Sequence, residues 1–400
     1  MRCSFGNFLL PLDGSQNIYE PATNLQVWGY GDGLKNKGVG MSFLRLGAKR
    51  TFVGLDIGSH SAKLLQLKQT KNGYTVQKIG IAQYPTDAFD GPHIADIKSV
   101  AKTISKLWQN LGLKNEKVVL CVPGNEIMIE MPQIPMMKRS AVFSYVDSNM
   151  KNFVPYSLDE IFYGVDVLTE NSEEGTLTLL IAYARRGIIY DYEKLMSLAG
   201  LELTLLDVDY FALFNAFEAT EGFSSDDAIA LLDIGASKSI LVVIRNKLPV
   251  FTKSFLIGTN ELVFQLMDKF GISNEDAYGF VTGALDATII PYSENDIKAL
   301  FLFFIDQITA EVKSIFNYFY DQVGQEKIRR IFLSGGLARS RGISFQLEKN
   351  LGIPVFVFNP LAHEKVKVES YIDQDYAITL GPQMAVCFGL ALRQEEGKGK

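Results

Sequence analysis

Short apolar runs separated by turn residues begin just after residue 50 and predict a meander of three β-strands. The runs cover residues 52–57, 62–67 and 74–82. Apolar runs of this length, bounded by glycine and asparagine, are typical of strands. A second set of such runs occupies residues 228–255. The pattern therefore predicts two meanders.

Between and after the meanders, the pattern alternates between helical and strand-like segments. Further strands are predicted at 117–122, 126–131, 162–168, 176–183, 328–333 and 355–358. Helices are predicted at 94–111, 139–152, 342–351 and 381–392, with a long helical block at 260–323. The stretch from about 86 to 175 fits an α+β unit inserted into the first half of the chain.

The two meanders open with related sequences, which indicates that one module occurs twice. Val53-Gly-Leu-Asp-Ile-Gly-Ser-His-Ser matches Ala230-Leu-Leu-Asp-Ile-Gly-Ala-Ser-Lys, so that Asp56 aligns with Asp233 at a separation of 177 residues (233 minus 56). A single Asp-x-Gly is also what an aspartate at an ordinary β-turn gives. Two matching copies, each at the start of a meander, favour a shared function.

The chemistry of the repeated turn suits phosphate groups and magnesium. Glycine lets backbone N–H groups approach phosphate oxygens, and neighbouring hydroxyls add donors. An aspartate at the strand end can hold Mg²⁺ through water. Two such hairpins that face each other would grip a triphosphate from both sides.

Two further segments extend this prediction. Leu333-Ser-Gly-Gly-Leu-Ala follows a strand and precedes a helix, which suits either the close approach of a base or ribose or a simple turn. Asp209 begins a predicted helix, where it suits an N-cap or a metal-water ligand. The predicted nucleotide-binding residues are Asp56, Gly58, Ser59, Ser61, Asp233, Gly235, Ala236, Ser237, Gly335, Gly336 and Leu337. The predicted magnesium ligands are Asp56, Asp209 and Asp233.

Composition narrows the function classes. The chain of 400 residues is 47% hydrophobic and 21% charged, which is typical of a globular protein with two domains. A net charge of -6 leaves no basic surplus for nucleic acid. Three widely spaced cysteines and three scattered histidines favour neither disulfides nor a zinc site. No apolar stretch approaches the roughly 18 residues of a membrane-spanning helix.

Residues 1–50 are rich in glycine, asparagine and proline, and we predict that they form an N-terminal extension. Either Met41 is the true start, or the extension is a flexible arm. Its apolar run at 8–10 is too short for a signal peptide. Residues 395–400 form a polar tail.

The order of two Asp-x-Gly hairpins, an insert and a late Gly-Gly turn is similar to that of the actin, Hsp70 and FtsA superfamily. Within it, the chain resembles the PilM family of type IV pilus assembly proteins over nearly everything after residue 50. The matching segments begin at Phe52-Val-Gly-Leu-Asp-Ile-Gly, Val122-Pro-Gly-Asn-Glu-Ile, Phe153-Val-Pro-Tyr-Ser-Leu-Asp-Glu, Leu206-Asp-Val-Asp-Tyr and Ile331-Phe-Leu-Ser-Gly-Gly. In addition, Asn7-Phe-Leu-Leu-Pro in the extension resembles the INLLP sequence of PilN tails.

The resemblance implies an α/β protein with the actin-like (ribonuclease H-like) two-lobed fold and an FtsA-like inserted α+β subdomain. The lobes would be 51–220 and 221–394, with a helical subdomain at about 260–325. It implies a cytoplasmic scaffold that binds ATP and Mg²⁺ and is at most a slow ATPase. Its partners would be the N-terminal tail of PilN, held in a groove near the insert, and the pilus motor ATPases. Association with the inner membrane would come only through partners.

Three alternatives remain open. An FtsA-type division protein usually ends in an amphipathic anchor, whereas this chain ends in a polar segment. A sugar or acetate kinase would need a general base in the cleft, and no residue is evident in that role. A scaffold without nucleotide is the third, because Tyr278 and Val281 stand where the family often has Glu and Lys.

Overall fold

The structure, a computed structural model, describes residues 10–11, 52–223, 228–285, 294–322 and 327–393. Most of the predicted extension and the whole polar tail therefore lie outside the described residues. The elements up to residue 122 are β1 (Leu10–Pro11), β2 (Val53–Ile57), β3 (Ser61–Thr70), β4 (Gly73–Gln83), β5 (Phe89–Asp90), β6 (His93–Ile94), α1 (Ile97–Asn110) and β7 (Val118–Val122).

The middle of the chain alternates between strands and helices. Its elements are β8 (Met128–Glu130), β9 (Gln133–Pro135), α2 (Arg139–Asn149), β10 (Ile161–Asn171), β11 (Thr176–Arg185), α3 (Arg186–Ala199), β12 (Leu203–Val208) and α4 (Asp209–Ala219). The remaining elements are β13 (Ile229–Ile234), β14 (Ser239–Arg245), β15 (Leu248–Phe255), α5 (Thr259–Phe270), α6 (Asn274–Val281), α7 (Glu294–Gln322), β16 (Arg330–Gly335), α8 (Ile343–Leu351), β17 (Val355–Val357), β18 (Val366–Val368), α9 (Gln374–Leu380) and α10 (Ala385–Ala391).

Two sheets of the same topology form the two lobes. In the first, β2, β3 and β4 form an antiparallel meander, and β7 and β12 extend it in parallel from β2. In the second, β13, β14 and β15 form the meander, and β16 and β17 extend it in parallel from β13. The predicted duplication is therefore confirmed as a duplication of structure.

The inserted subdomain has a sheet and a core of its own. β11 pairs with β10 on one edge and with β8 and β9 on the other, and α2 packs against this sheet. These strands run from Met128 to Arg185, later than the predicted 86–175, and α1 packs against β3 and β4 of the first lobe. The alternation of apolar residues along a strand has the same period in either sheet, so the sequence pattern does not show which sheet a strand joins.

The last part of the chain returns to the first lobe. β18 pairs in parallel with β4, and α10 packs against β2, β3 and α4. The division at 221–394 is therefore wrong for these elements. Every residue of α10 is buried, and a helix that is apolar on all sides does not reveal from its sequence which sheet it covers.

One short strand lies on the open edge of the first sheet. β1 pairs antiparallel with β12, with Leu10 opposite Leu206, and it also contacts β10 of the inserted subdomain. Without β1, β12 would be an edge strand. Among the described residues, none of the helices has the length and apolar character that spanning a membrane requires.

Candidate functional site

The turns of the two meanders face each other across a cleft between the lobes. The turn between β2 and β3 carries Ser59, the turn between β13 and β14 carries Ser237, and their hydroxyl oxygens are 2.6 Å apart. The cleft has about 950 Å³ of empty volume, part of it open to solvent. The predicted residues that line it are Asp56, Gly58, Ser59, Ser61, Asp209, Asp233, Gly235, Ala236, Ser237, Gly335 and Gly336.

The Gly-Gly turn completes one wall of the cleft. Gly335 ends β16 with φ of 89°, and a Cβ there would lie 2.3 Å from the carbonyl oxygen of Ile234. Only glycine fits this close approach without a shift of the backbone. Leu337 was also predicted to contact nucleotide, but its side chain is fully buried in the core of the second lobe.

Lys63 is a cleft residue that the sequence analysis missed. It lies directly opposite Asp56 in the β2–β3 pair, and its Nζ is 2.8 Å from Asp56 Oδ2. Burial alone would lower the pKa of Lys63, but the Asp56 charge and hydrogen bond outweigh it and raise that pKa. The ammonium therefore stays charged. The feature of the sequence that could have indicated this residue is a lysine within an apolar strand, seven residues after Asp56.

Lys238 supplies a second, partly buried ammonium, and it pairs with Asp209. Lys238 Nζ is 2.6 Å from Asp209 Oδ2, and the Asp209 side chain is only 5% exposed. The other oxygen of Asp209 accepts hydrogen bonds from the N–H groups of Gly124 and Tyr210. α4 takes Val208 as its N-cap, so Asp209 is not the cap but the first residue of the helix.

Asp233 is the third predicted magnesium ligand. Ser334 donates a hydrogen bond of 2.7 Å to its Oδ2, and burial raises the pKa of Asp233 to about 6. Asp56 and Asp209 each face a lysine instead of open space. In the described part of the chain, no three His, Cys, Asp or Glu side chains are grouped in a way that could hold a metal. Each of the three carboxylates is therefore engaged by a side chain of the protein itself: Asp56 by Lys63, Asp209 by Lys238 and Asp233 by Ser334.

A ring stack lies beside the Gly-Gly turn of the cleft. His60, from the first hairpin, stacks on Tyr278 of α6 with ring centroids 3.4 Å apart and planes within 10°. A Cβ added at Gly336 would lie 3.4 Å from the Tyr278 hydroxyl, so the ring stands beside the Gly-Gly turn. Burial and the neighbouring Lys63 charge lower the pKa of His60 to about 4. His60 is therefore neutral at physiological pH.

The remaining polar groups of the cleft suit a phosphate chain. Two ammonium groups, from Lys63 and Lys238, and two facing serine hydroxyls converge on turns whose glycines carry no side chain. A Cβ at Gly235 would lie 2.8 Å from the Lys238 carbonyl oxygen, so this turn needs glycine. Ammonium groups, hydroxyls and accessible backbone N–H groups are the donors that bind phosphate oxygens. The donor set therefore fits phosphates better than it fits a bare cation.

Comparisons with known proteins find a matching family and similar solved structures. The sequence model of the family described as type IV pilus assembly protein PilM matches residues 54–395. A solved PilM-PilN type IV pilus biogenesis complex superposes with a TM-score of 0.72 at 22% identity, covering 87% of this chain and 100% of that one. The ethanolamine utilization protein EutJ from Carboxydothermus hydrogenoformans gives a TM-score of 0.48 at 17% identity, covering 86% and 89%. MreB 5 of Spiroplasma citri bound to AMPPNP gives 0.43 at 14%, covering 85% and 94%.

Proposed function

The chain belongs to the family of type IV pilus assembly protein PilM, and on this basis we propose that it is a nucleotide-binding scaffold of a pilus assembly machine. The proposal places it in the cytoplasm, at the inner membrane through its partners. It would link the inner-membrane complex to the pilus motor ATPases. Family membership favours this role over that of a division protein or a sugar kinase.

The observation that carries the nucleotide part of the proposal is the pair of facing hairpins. Ser59 and Ser237 meet at 2.6 Å, and Lys63 and Lys238 bring two ammonium groups to the same cleft. The separation of the lobes by such a cleft suits a ligand that both lobes grip, and we propose ATP. No acidic or histidine side chain of the described cleft is free to act as a general base: His60 is stacked and Asp56, Asp209 and Asp233 are hydrogen-bonded. Turnover would accordingly be slow.

The proposed partner is the N-terminal tail of PilN, and the edge of β12 is its proposed site. The solved relative is a PilM-PilN complex. In this chain, residues 10–11 already add a strand to β12 beside the inserted subdomain, and they belong to the segment that resembles a PilN tail. An open sheet edge accepts an extended peptide through backbone hydrogen bonds. The extension would then compete with the PilN tail.

A labelled peptide of the PilN N-terminal tail, followed by fluorescence anisotropy, tests this site. We expect the full chain to bind the peptide, and a chain lacking residues 1–40 to bind it more tightly. A peptide of the same composition in scrambled order is the control. Equal affinity with and without residues 1–40 would contradict competition at β12, and no binding by either form would contradict the PilN assignment.

A scaffold that binds no nucleotide is the second candidate, and the His60–Tyr278 stack favours it. The two rings lie beside the Gly-Gly turn, where the nucleoside would sit. The rings must separate, or the base must bind elsewhere, before ATP can occupy the whole cleft. Direct titration with ATP distinguishes the two candidates.

A further inference from the structure

Lys238 occupies a position that differs between the two copies of the repeat. The offset of 177 residues that aligns Asp56 with Asp233 aligns Ser61 with Lys238 and Lys63 with Ile240. Each copy therefore supplies one lysine, but from different places: Lys63 from the strand after the turn, and Lys238 from the turn itself. The second ammonium is an individual feature of the second hairpin and not a consequence of the duplication.

The contacts of Lys238 place a positive charge in front of the carboxylate that was predicted to hold metal. Its Nζ lies 2.6 Å from Asp209 Oδ2, while the N–H groups of Gly124 and Tyr210 take the other oxygen. An ammonium group has three N–H donors, so the bond to Asp209 leaves two that can serve other acceptors. Both residues line the cleft, where the side chain of Lys238 is 20% exposed and that of Asp209 only 5%.

The formal charge of the cleft also indicates that a phosphate chain would need the Lys238 ammonium. Three carboxylates, from Asp56, Asp209 and Asp233, line it together with the ammonium groups of Lys63 and Lys238. With both lysines the formal charge is -1, and without Lys238 it would be -2. A phosphate chain that approaches these carboxylates needs a positive charge between itself and them. In most nucleotide sites Mg²⁺ supplies that charge.

We propose that the Lys238 ammonium takes the place of a magnesium ion in front of Asp209, so that the cleft binds the phosphate chain of a nucleotide almost independently of Mg²⁺. This inference rests on the proposed nucleotide-binding function. It assigns Lys238 as a phosphate-binding residue and removes the need for Asp209 to act as a metal-water ligand. A lysine is a compact, strongly hydrated point charge that suits this substitution for a cation.

Calorimetric titration of ATP into the full chain, once with excess Mg²⁺ and once with EDTA, tests the inference. The native chain is expected to bind ATP with affinities within about threefold of each other under the two conditions. Lys238→Met keeps the length of the side chain and removes its charge. This variant is expected to bind ATP at least tenfold more weakly in EDTA than in Mg²⁺.

Two further variants and a folding check make the outcomes distinct. Lys238→Ser introduces the residue found at this position in the first repeat and should behave as Lys238→Met does. Lys238→Arg keeps the positive charge and should retain ATP binding in EDTA. Thermal unfolding identifies any variant that does not fold. Binding by the native chain only with Mg²⁺ would overturn the inference and leave the proposed nucleotide function intact. If Lys238→Met and Lys238→Ser bind ATP as independently of Mg²⁺ as the native chain does, the proposed role of Lys238 is overturned. Absence of ATP binding under both conditions would overturn the nucleotide function and this inference together.

Discussion

The hydroxyl oxygens of Ser59 and Ser237 lie 2.6 Å apart, and each belongs to one of the two duplicated hairpins. This hydrogen bond joins the two lobes at the cleft. It also holds together two groups that would otherwise face a ligand. Both serines are among the residues predicted to contact phosphate, so the same side chains that link the two hairpins also line the cleft.

The Ser59–Ser237 bond makes a testable contribution to stability. Ser59→Ala and Ser237→Ala should each lower the free energy of unfolding by about 0.5–1.5 kcal/mol, the usual contribution of one hydrogen bond. Because the two residues share that bond, the double variant should lose little more than either single variant. Urea unfolding measures this, with the exposed Ser144→Ala as control. Fully additive losses would show that the hydroxyls act separately.

The neutral, stacked state of His60 predicts how stability depends on pH. Its pKa is lowered to about 4 in the folded chain from an ordinary 6.5. Between these values the unfolded chain binds more protons, so this group stabilises the fold above pH 6.5 and its contribution is lost as the pH falls towards 4. His60→Phe keeps a ring against Tyr278 and removes the titration.

Thermal unfolding between pH 4 and pH 7 measures the effect. The native chain should lose more stability on acidification than His60→Phe does. Above pH 6.5, plots of unfolding temperature against pH should have the same slope for both proteins. Tyr278→Phe, which keeps both the ring and His60, is the matched control and should follow the native curve. Parallel curves for the native chain and His60→Phe would mean that His60 titrates alike in the folded and unfolded states.

The His60–Tyr278 stack also predicts the rate of nucleotide entry. A stacked aromatic pair contributes about 0.5–1.5 kcal/mol beyond its buried area. If the rings must separate first, Tyr278→Ala should raise the association rate of a fluorescent ATP analogue by about two- to tenfold. Stopped-flow fluorescence measures this rate, with Tyr278→Phe as control. An unchanged rate would show that the stack lies off the entry path.

A buried ion pair ties the end of the described chain to the first lobe. Arg393 Nη2 lies 2.6 Å from Asp207 Oδ2, and the side chains are 6% and 0% exposed. Burial raises the pKa of Asp207, and the charge and hydrogen bond of Arg393 lower it. The ionised form of the Asp207 carboxyl is therefore stabilised by Arg393. Arg393→Met leaves a buried carboxylate unpaired and should cost about 3–5 kcal/mol.

Replacement of both members of this pair provides the internal test. The double variant Arg393→Met with Asp207→Leu should recover most of the lost stability, because no uncompensated charge remains. Arg139→Met breaks the exposed pair with Glu170, whose side chains are each 48% exposed, and should cost less than about 1 kcal/mol. Midpoints of urea unfolding compare all three. A loss at Arg393→Met as small as that at Arg139→Met would contradict this account.

Sequence reasoning predicted the duplicated hairpins because their glycines and aspartates are fixed by local geometry. Gly235 illustrates this, because a Cβ there would lie 2.8 Å from the carbonyl oxygen of Lys238 in the same turn. Lys63 and Lys238 were missed because a lysine reads as a solvated charge until its partner is known, and Asp209 lies 29 residues from Lys238. The return of α10 to the first lobe was missed for the same reason: it depends on contacts between residues far apart in the chain.

Calorimetric titration of ATP with Mg²⁺ into the full chain tests the central claim most directly. The comparison is the double variant Asp56→Asn with Lys63→Met, which removes an ion pair of zero net charge and keeps both side-chain shapes. The account predicts saturable binding at one site by the native chain and binding at least tenfold weaker by the double variant. Absence of binding by the folded native chain would contradict the claim that the cleft is a nucleotide site. It would leave the chain as a partner-binding scaffold alone.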